Sequence, residues 1–233
     1  MNRSVRLAIA AAALAGCASV GLAAPAWAAG SSSTATLDGI KARAATAISV
    51  RLASLSKATP AVESNKWLTA PDKATLLNTL NADQSALTAL GPKIQADTTV
   101  AQARTDYQSI FLDYRVYALA LPQVRLAAAT DDITGGVLPR LTDAQTRLQS
   151  LLSGPDSAKN TAPVQTAMSD LGAKIQAITS TTSGLSATIL ALTPAQYDAN
   201  HTVLAGPREA ILNARADIVA ARADVVTVVG DLK

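Results

Sequence analysis

Apolar residues in this chain recur at alternating steps of four and three. The longest unbroken run is Val164, Met168, Leu171, Ile175, Ile178, Thr182, Leu185, Ile189 and Leu192. That period is the seam of an α-helix lying against other helices, and it does not fit the two-residue alternation of a half-buried strand. A continuous helix over this run would reach about 43 Å at about 1.5 Å per residue. A second seam has the same spacing: Ala103, Tyr107, Ile110, Tyr114, Tyr117 and Leu121. It carries three of the four tyrosines and encloses the only phenylalanine, Phe111. Aromatic residues make up 3% of the chain, so no other stretch offers comparable contact area, and the remaining helices are expected to pack around this one.

The other helices follow from the same spacing and from cap chemistry. Thr36 caps a first helix whose inner face is Leu37, Ile40, Ala44, Ile48, Leu52, Leu55 and Val62; it stops or bends near Pro60. Thr69, Pro71 and Asp72 open a second helix, with Thr69 and Asp72 in capping-box spacing. Its row is Leu76, Leu80, Asp83, Leu87, Leu90 and Ile94, one charged position among apolar ones. Asp97-Thr98-Thr99 starts the aromatic helix, which Pro122 either kinks or ends. Beyond it the seam is weaker. Asp131-Asp132 and Gly135-Gly136 read as a solvated break, and Thr142 with Gln145 as a further cap. Thr193 and Gln196 form another capping box. The last helix follows Gly206-Pro207, with Ile211, Ile218, Val225 and Leu232 at one heptad position and Ala214, Ala221 and Val228 at the other.

The expected fold is therefore all-α: an elongated antiparallel bundle of two three-helix units, residues 37–121 and 122–233, meeting at Pro122. A single longer bundle that turns at Pro122 is the alternative.

Residues 1–29 read as an export signal. Arg3 and Arg6 precede an Ala-rich apolar core, and Pro25 precedes Ala26-Trp27-Ala28, a small-x-small cleavage pattern. Leu14-Ala15-Gly16-Cys17 also resembles a lipobox, which would make Cys17 a lipid attachment site. Cleavage after Ala28 is the favoured route, and a membrane anchor follows only from lipidation. Residues 30–36 form a Ser-rich linker. Cys17 is the only cysteine, so a cleaved chain relies on packing without disulfides. The formal charge is +3, from 20 basic and 17 acidic residues. Without Arg3 and Arg6 it falls to about +1, and the signs are interspersed, so there is no footprint for nucleic acid.

The leader and the Asp72–Leu121 region, including Asp113-Tyr114-Arg115-Val116-Tyr117, resemble the Ala-rich, all-helical secreted proteins of high-GC bacteria. The resemblance implies the fold and export alone.

The chain is poor in the groups that catalysis uses. There are two glutamates, Glu63 and Glu209, and one histidine, His201, with no Glu-x-x-His pair, nucleophile elbow or phosphate loop. Asp131 and Asp132 point to different helix faces. The sequence is read as non-enzymatic and free of metal and cofactor. Its expected role is structural, or contact with an envelope protein or polymer outside the cytoplasm; its oligomeric state is open. The alternative is a ligand-binding bundle with a pocket beside Tyr107, Phe111, Tyr114 and Tyr117, which are otherwise core. Counting outward from a turn near Lys66 and Trp67 places Arg51 level with Asp83. A structural ion pair between them is therefore expected, with Tyr114 close by; Asp83 turned out to water is the competing reading.

Overall fold

Three threonines each open a helix. Thr36 Oγ1 accepts the Gly39 N–H at 3.1 Å, Thr69 Oγ1 that of Asp72 at 3.2 Å, and Thr99 Oγ1 that of Gln102 at 3.2 Å. Each satisfies a backbone donor that the first helical turn leaves without a partner. The helices are α1 (Leu37–Glu63), α2 (Ala70–Ala96) and α3 (Val100–Leu112). The computed structural model describes residues 36–233; the leader with Cys17, and all of the linker except Thr36, lie outside the described residues. Of the described residues, 85% are helical and none is in a strand. Pro60 falls in the last turn of α1 and Pro92 just before that of α2; neither breaks its helix.

Beyond α3 the backbone is helical without interruption from Val116 to Ser153. This central helix contains α4 (Leu121–Asp131) and α5 (Leu138–Ser153), each preceded by a wide π turn, at Val116–Ala120 and Asp132–Val137. The wide turns have a local cause. Leu121 N–H donates to Val116 O and Leu138 N–H to Ile133 O, both five residues back. Each donor immediately precedes a proline, Pro122 or Pro139. A proline in an α-helix clashes with the carbonyl four residues earlier, and the wider turn moves that carbonyl aside. The helix is therefore continuous through Pro122. The remaining helices are α6 (Ala162–Thr182), α7 (Leu185–Leu190), α8 (Pro194–Ala199) and α9 (Ala205–Asp231). The Thr193–Gln196 capping box at α8 is complete on both sides.

α1, α2 and α3 pack mutually, and so do α5, α6 and α9, while α4 touches α1, α7 and α9. The first core contains Leu55, Leu80, Leu87, Ile94, Ile110, Val116 and Ala127. The second contains Ile133, Leu171, Ile178, Ile211 and Ile218, and Leu148, Leu152, Val164 and Val228 cluster separately. A fully buried Leu or Ile contributes about 2 kcal/mol, so these seams supply the main favourable term in so aromatic-poor a chain.

Five expectations are corrected. The central helix does not change core at Pro122: Val116, Leu121, Val124 and Ala127 pack with the first core, while Leu126 and Ala129 on α4 already pack with the second. The aromatic seam is not one helix: α3 ends at Leu112, and Arg115 adopts φ 42°, ψ 37°, in the left-handed region. The Val164–Leu192 run is also divided, at Ser183-Gly184, where Gly184 has φ 67°. Asp131-Asp132 is not a solvated break; Asp131 ends α4 inside the continuous helix and is buried. Thr142 caps nothing, since it lies inside α5 and donates to Leu138 O.

Candidate functional site

The tyrosine-rich segment divides between two environments. Tyr107 and Phe111 meet edge to face at 5.1 Å on α3, half-buried against the first core. Tyr114 is half-buried as well. Tyr117 is 47% exposed and is not core. Its hydroxyl donates to Val50 O at 3.2 Å and lies 2.9 Å from Ser54 Oγ. The break at Asp113–Arg115 re-aims the chain between Phe111 and Tyr117, so the seam read from spacing does not stay on one face.

Arg51 does not pair with Asp83. Its guanidinium lies 4.3 Å from the Phe111 ring centre and 5.2 Å from that of Tyr117, and it donates to Ala47 O at 3.1 Å. Burial is the largest influence on Arg51 and lowers its pKa, against the raising influence of Tyr117 and Tyr107. Direction, not register, explains the failed pairing. Lys41 and Gln95 bond reciprocally between α1 and α2, which sets Asp83 level with Ala53 and within one turn of Arg51. The two differ in the direction their side chains take: Arg51 turns to the Phe111 and Tyr117 rings. Asp83 Oδ2 is buried with no hydrogen-bond partner, and burial pushes the carboxyl up to about 6. Tyr114 is near enough for the Asp83 charge to help raise its own pKa, after burial and Asp113.

Between α2 and α3 runs an open groove. One stretch, of about 520 Å³, is lined by residues including Ala86, Leu90, Ser109, Asp113 and Tyr114; the next, of about 420 Å³, by residues including Asp97, Ala101 and Gln102. Lys93 and Asp106 belong to both and close an ion pair across it at 2.9 Å.

A second constellation was not foreseen. Asp131 Oδ2 accepts the Thr69 N–H at 3.0 Å, and Oδ1 accepts the Ser186 hydroxyl at 2.5 Å. Thr69 is the cap of α2, so Asp131 makes the reach-back bond expected from Asp72 in the capping box. Asp72 faces Asp131 instead: burial, the Asp131 charge and a hydrogen bond to that carboxylate raise its pKa, while Thr69 acts the other way. The carboxylate facing Asp131 is thus Asp72, from a different helix. Gln123 is also buried, its amide donating to Ile189 O and Leu192 O at 2.8 Å each, which satisfies the end of α7. Trp67 lies against the second wide turn. A Cβ on Gly136 would stand 3.1 Å from Trp67 Cε2, so a side chain there would press on the ring and displace it by a few tenths of an ångström. Arg140 sits over the same ring at 5.6 Å. These groups join helix ends to the central helix.

α9 presents the clearest surface feature. Leu212, Val219 and Val226 are 64%, 67% and 71% exposed and stand seven residues apart. Ala216, Ala223 and Gly230 alternate with them and are exposed too. These six positions step four, three, four, three, four. At 100° per residue they form a stripe opposite the Ile211, Ala214, Ile218, Ala221 face that packs with α6. α9 therefore has two apolar seams, of which one is covered. Sequence reasoning recorded only the inner one, although the outer one was present in the same spacing.

His201 is exposed, and its ring stands 5.0 Å from that of Tyr197. Arg115 Nε donates to Asp198 Oδ1 at 2.6 Å, which fixes the left-handed corner to α8. Among the described residues no group of three or more His, Cys, Asp or Glu side chains is placed to hold a metal ion, and no helix is long and apolar enough to cross a membrane. No protein-family model, curated protein or solved structure matches the chain.

Proposed function

We propose that this is a non-enzymatic helical-bundle protein that works outside the cytoplasm by binding another protein through a helix face. The supporting observation is the outer seam of α9, where three large aliphatic side chains at heptad spacing stand two-thirds exposed. Contiguous apolar surface of this kind is uncommon on a chain that acts alone and marks contact sites. The leader at 1–29 and the resemblance to secreted Ala-rich helical proteins support export, with cleavage after Ala28 preferred to lipidation of Cys17. A photo-crosslinking residue placed at Val219, in the cell that makes the protein, tests the reading. It should capture a partner that the same residue at Thr75, exposed on α2, does not. Equal capture at both positions would sink it.

The α2–α3 groove favours a second reading, a binding site for a small ligand beside Tyr114. Its open form and the Lys93–Asp106 pair across it make it the weaker choice, since small-molecule sites enclose most of the ligand. Ligand-induced change in Tyr114 fluorescence or chemical shift, with α9 unaffected, would promote it.

A further inference from the structure

The α9 stripe has a charged edge that defines its partner, if the proposed role as an interaction module holds. Label Leu212, Val219 and Val226 as one core position of a heptad and Ala216, Ala223 and Gly230 as the other. Arg208, Arg215 and Arg222 then fill the flanking position on one side, seven residues apart and exposed. None of the three takes part in an ion pair among the described residues. The opposite flank is Asn213, Ala220 and Thr227. Of the acids on α9 near this row, Asp217 is held by Lys174 of α6 at 3.0 Å, Asp224 lies on the same flank as Asp217, and Glu209 adjoins Arg208 one heptad before Ala216.

We infer that α9 docks an amphipathic helix of another protein whose apolar seam is bordered by glutamate or aspartate. Flanking charges set partner choice in such contacts, and a row of arginines selects carboxylates. The small residues between the aliphatic ones leave hollows into which a partner's knobs fit, at close approach of the two axes. A second copy of this chain is disfavoured by the same positions. Antiparallel pairing would set the arginine row against itself, and parallel pairing would set it against Asn213, Ala220 and Thr227, neither of which supplies a carboxylate. A lipid surface does not call for alternating hollows, and the stripe holds no aromatic anchor. The contact spans about 27 Å at about 1.5 Å per residue, which is short, so binding is reversible and salt-sensitive.

The test uses the chain from Ala29 onward, the product of cleavage after Ala28, and two designed three-heptad helical peptides that share one apolar seam. One carries Glu at its flanking positions and the other Lys. Fluorescence anisotropy should show the Glu peptide binding at least tenfold more tightly. Val219→Asp should weaken it at least tenfold with circular dichroism unchanged, because the side chain is exposed. The double variant Arg215→Glu, Arg222→Glu should reverse the preference toward the Lys peptide. Three results would overturn the inference: equal affinity for both peptides, a concentration-dependent dimer abolished by Val219→Asp, or binding only to phosphatidylglycerol vesicles. Capture at Val219 in cells together with charge-blind peptide binding would remove this inference and leave the interaction role standing.

Discussion

Asp83 occupies a core row with one oxygen buried and unpaired. Burial raises its pKa to about 6, so the folded chain holds that proton more tightly than the unfolded chain, whose carboxylates titrate at about 4. The resulting stability is complete below the unfolded value and is lost as pH rises through about 6. Asp72, also raised, contributes with the same sign. Asp83→Asn should therefore leave thermal stability unchanged near pH 4 and raise it by about 1–2 kcal/mol near pH 7.5, allowing for partial solvent screening. Scans across that range decide the matter, and an equal effect at both ends would refute it. The neighbouring arginine obeys different physics. A double-mutant cycle on Arg51→Met and Asp83→Leu should give coupling below about 0.3 kcal/mol, whereas Arg51→Met with Phe111→Leu should couple by about 0.5–1 kcal/mol through the ring contact. The reverse ordering would restore the ion pair.

At the level of helices and their ends, Asp131 bonds both the cap of α2 and Ser186 of α7. Removing its carboxylate leaves the Thr69 N–H without that acceptor. Asp131→Ala should therefore lower urea-unfolding stability by about 2–4 kcal/mol, and Asp132→Ala by less than about 0.5 kcal/mol, since Asp132 is exposed. Equal losses would contradict the assignment. The pair also shows what was legible in the sequence. Helices α1 and α2, with their threonine caps and inner faces, and the inner face of α9 follow from local spacing and cap chemistry, and so does the all-α class. Asp131 did not, because its value depends on groups more than fifty positions away, and beside Asp132 and two glycines it looked like a turn. Arg115 was missed for a related reason. No glycine or proline marks its left-handed corner; a distant contact to Asp198 sustains a conformation that costs about 1 kcal/mol. The Arg51–Asp83 pairing failed because level along two helices does not decide which way a side chain turns, and Arg51 turns to the rings of Phe111 and Tyr117. The aromatic row failed because spacing alone does not reveal where a helix stops.

Across the whole molecule, one helix serves two cores. Val116 and Ala127 belong to the first, Ile133 and Leu141 to the second. Loss of either core therefore exposes part of the helix the other needs, and the described residues should unfold as one unit. Fluorescence of Trp67, which rests on the shared helix, and far-ultraviolet circular dichroism should give coincident urea transitions; separated midpoints would show two independent units. The wide turns before Pro122 and Pro139 add a consequence for how such a chain changes length. Each holds one surplus residue, absorbed locally so that the side chains beyond it keep their angular phase. Deleting Gly135 together with Pro139→Ala should restore an ordinary turn and retain the fold. Deleting Gln145, in the regular part of α5, should swing Leu148 and Leu152 by about 100° out of their core and abolish cooperative unfolding. The prolines thus mark the two places where this helix tolerates a change in residue count.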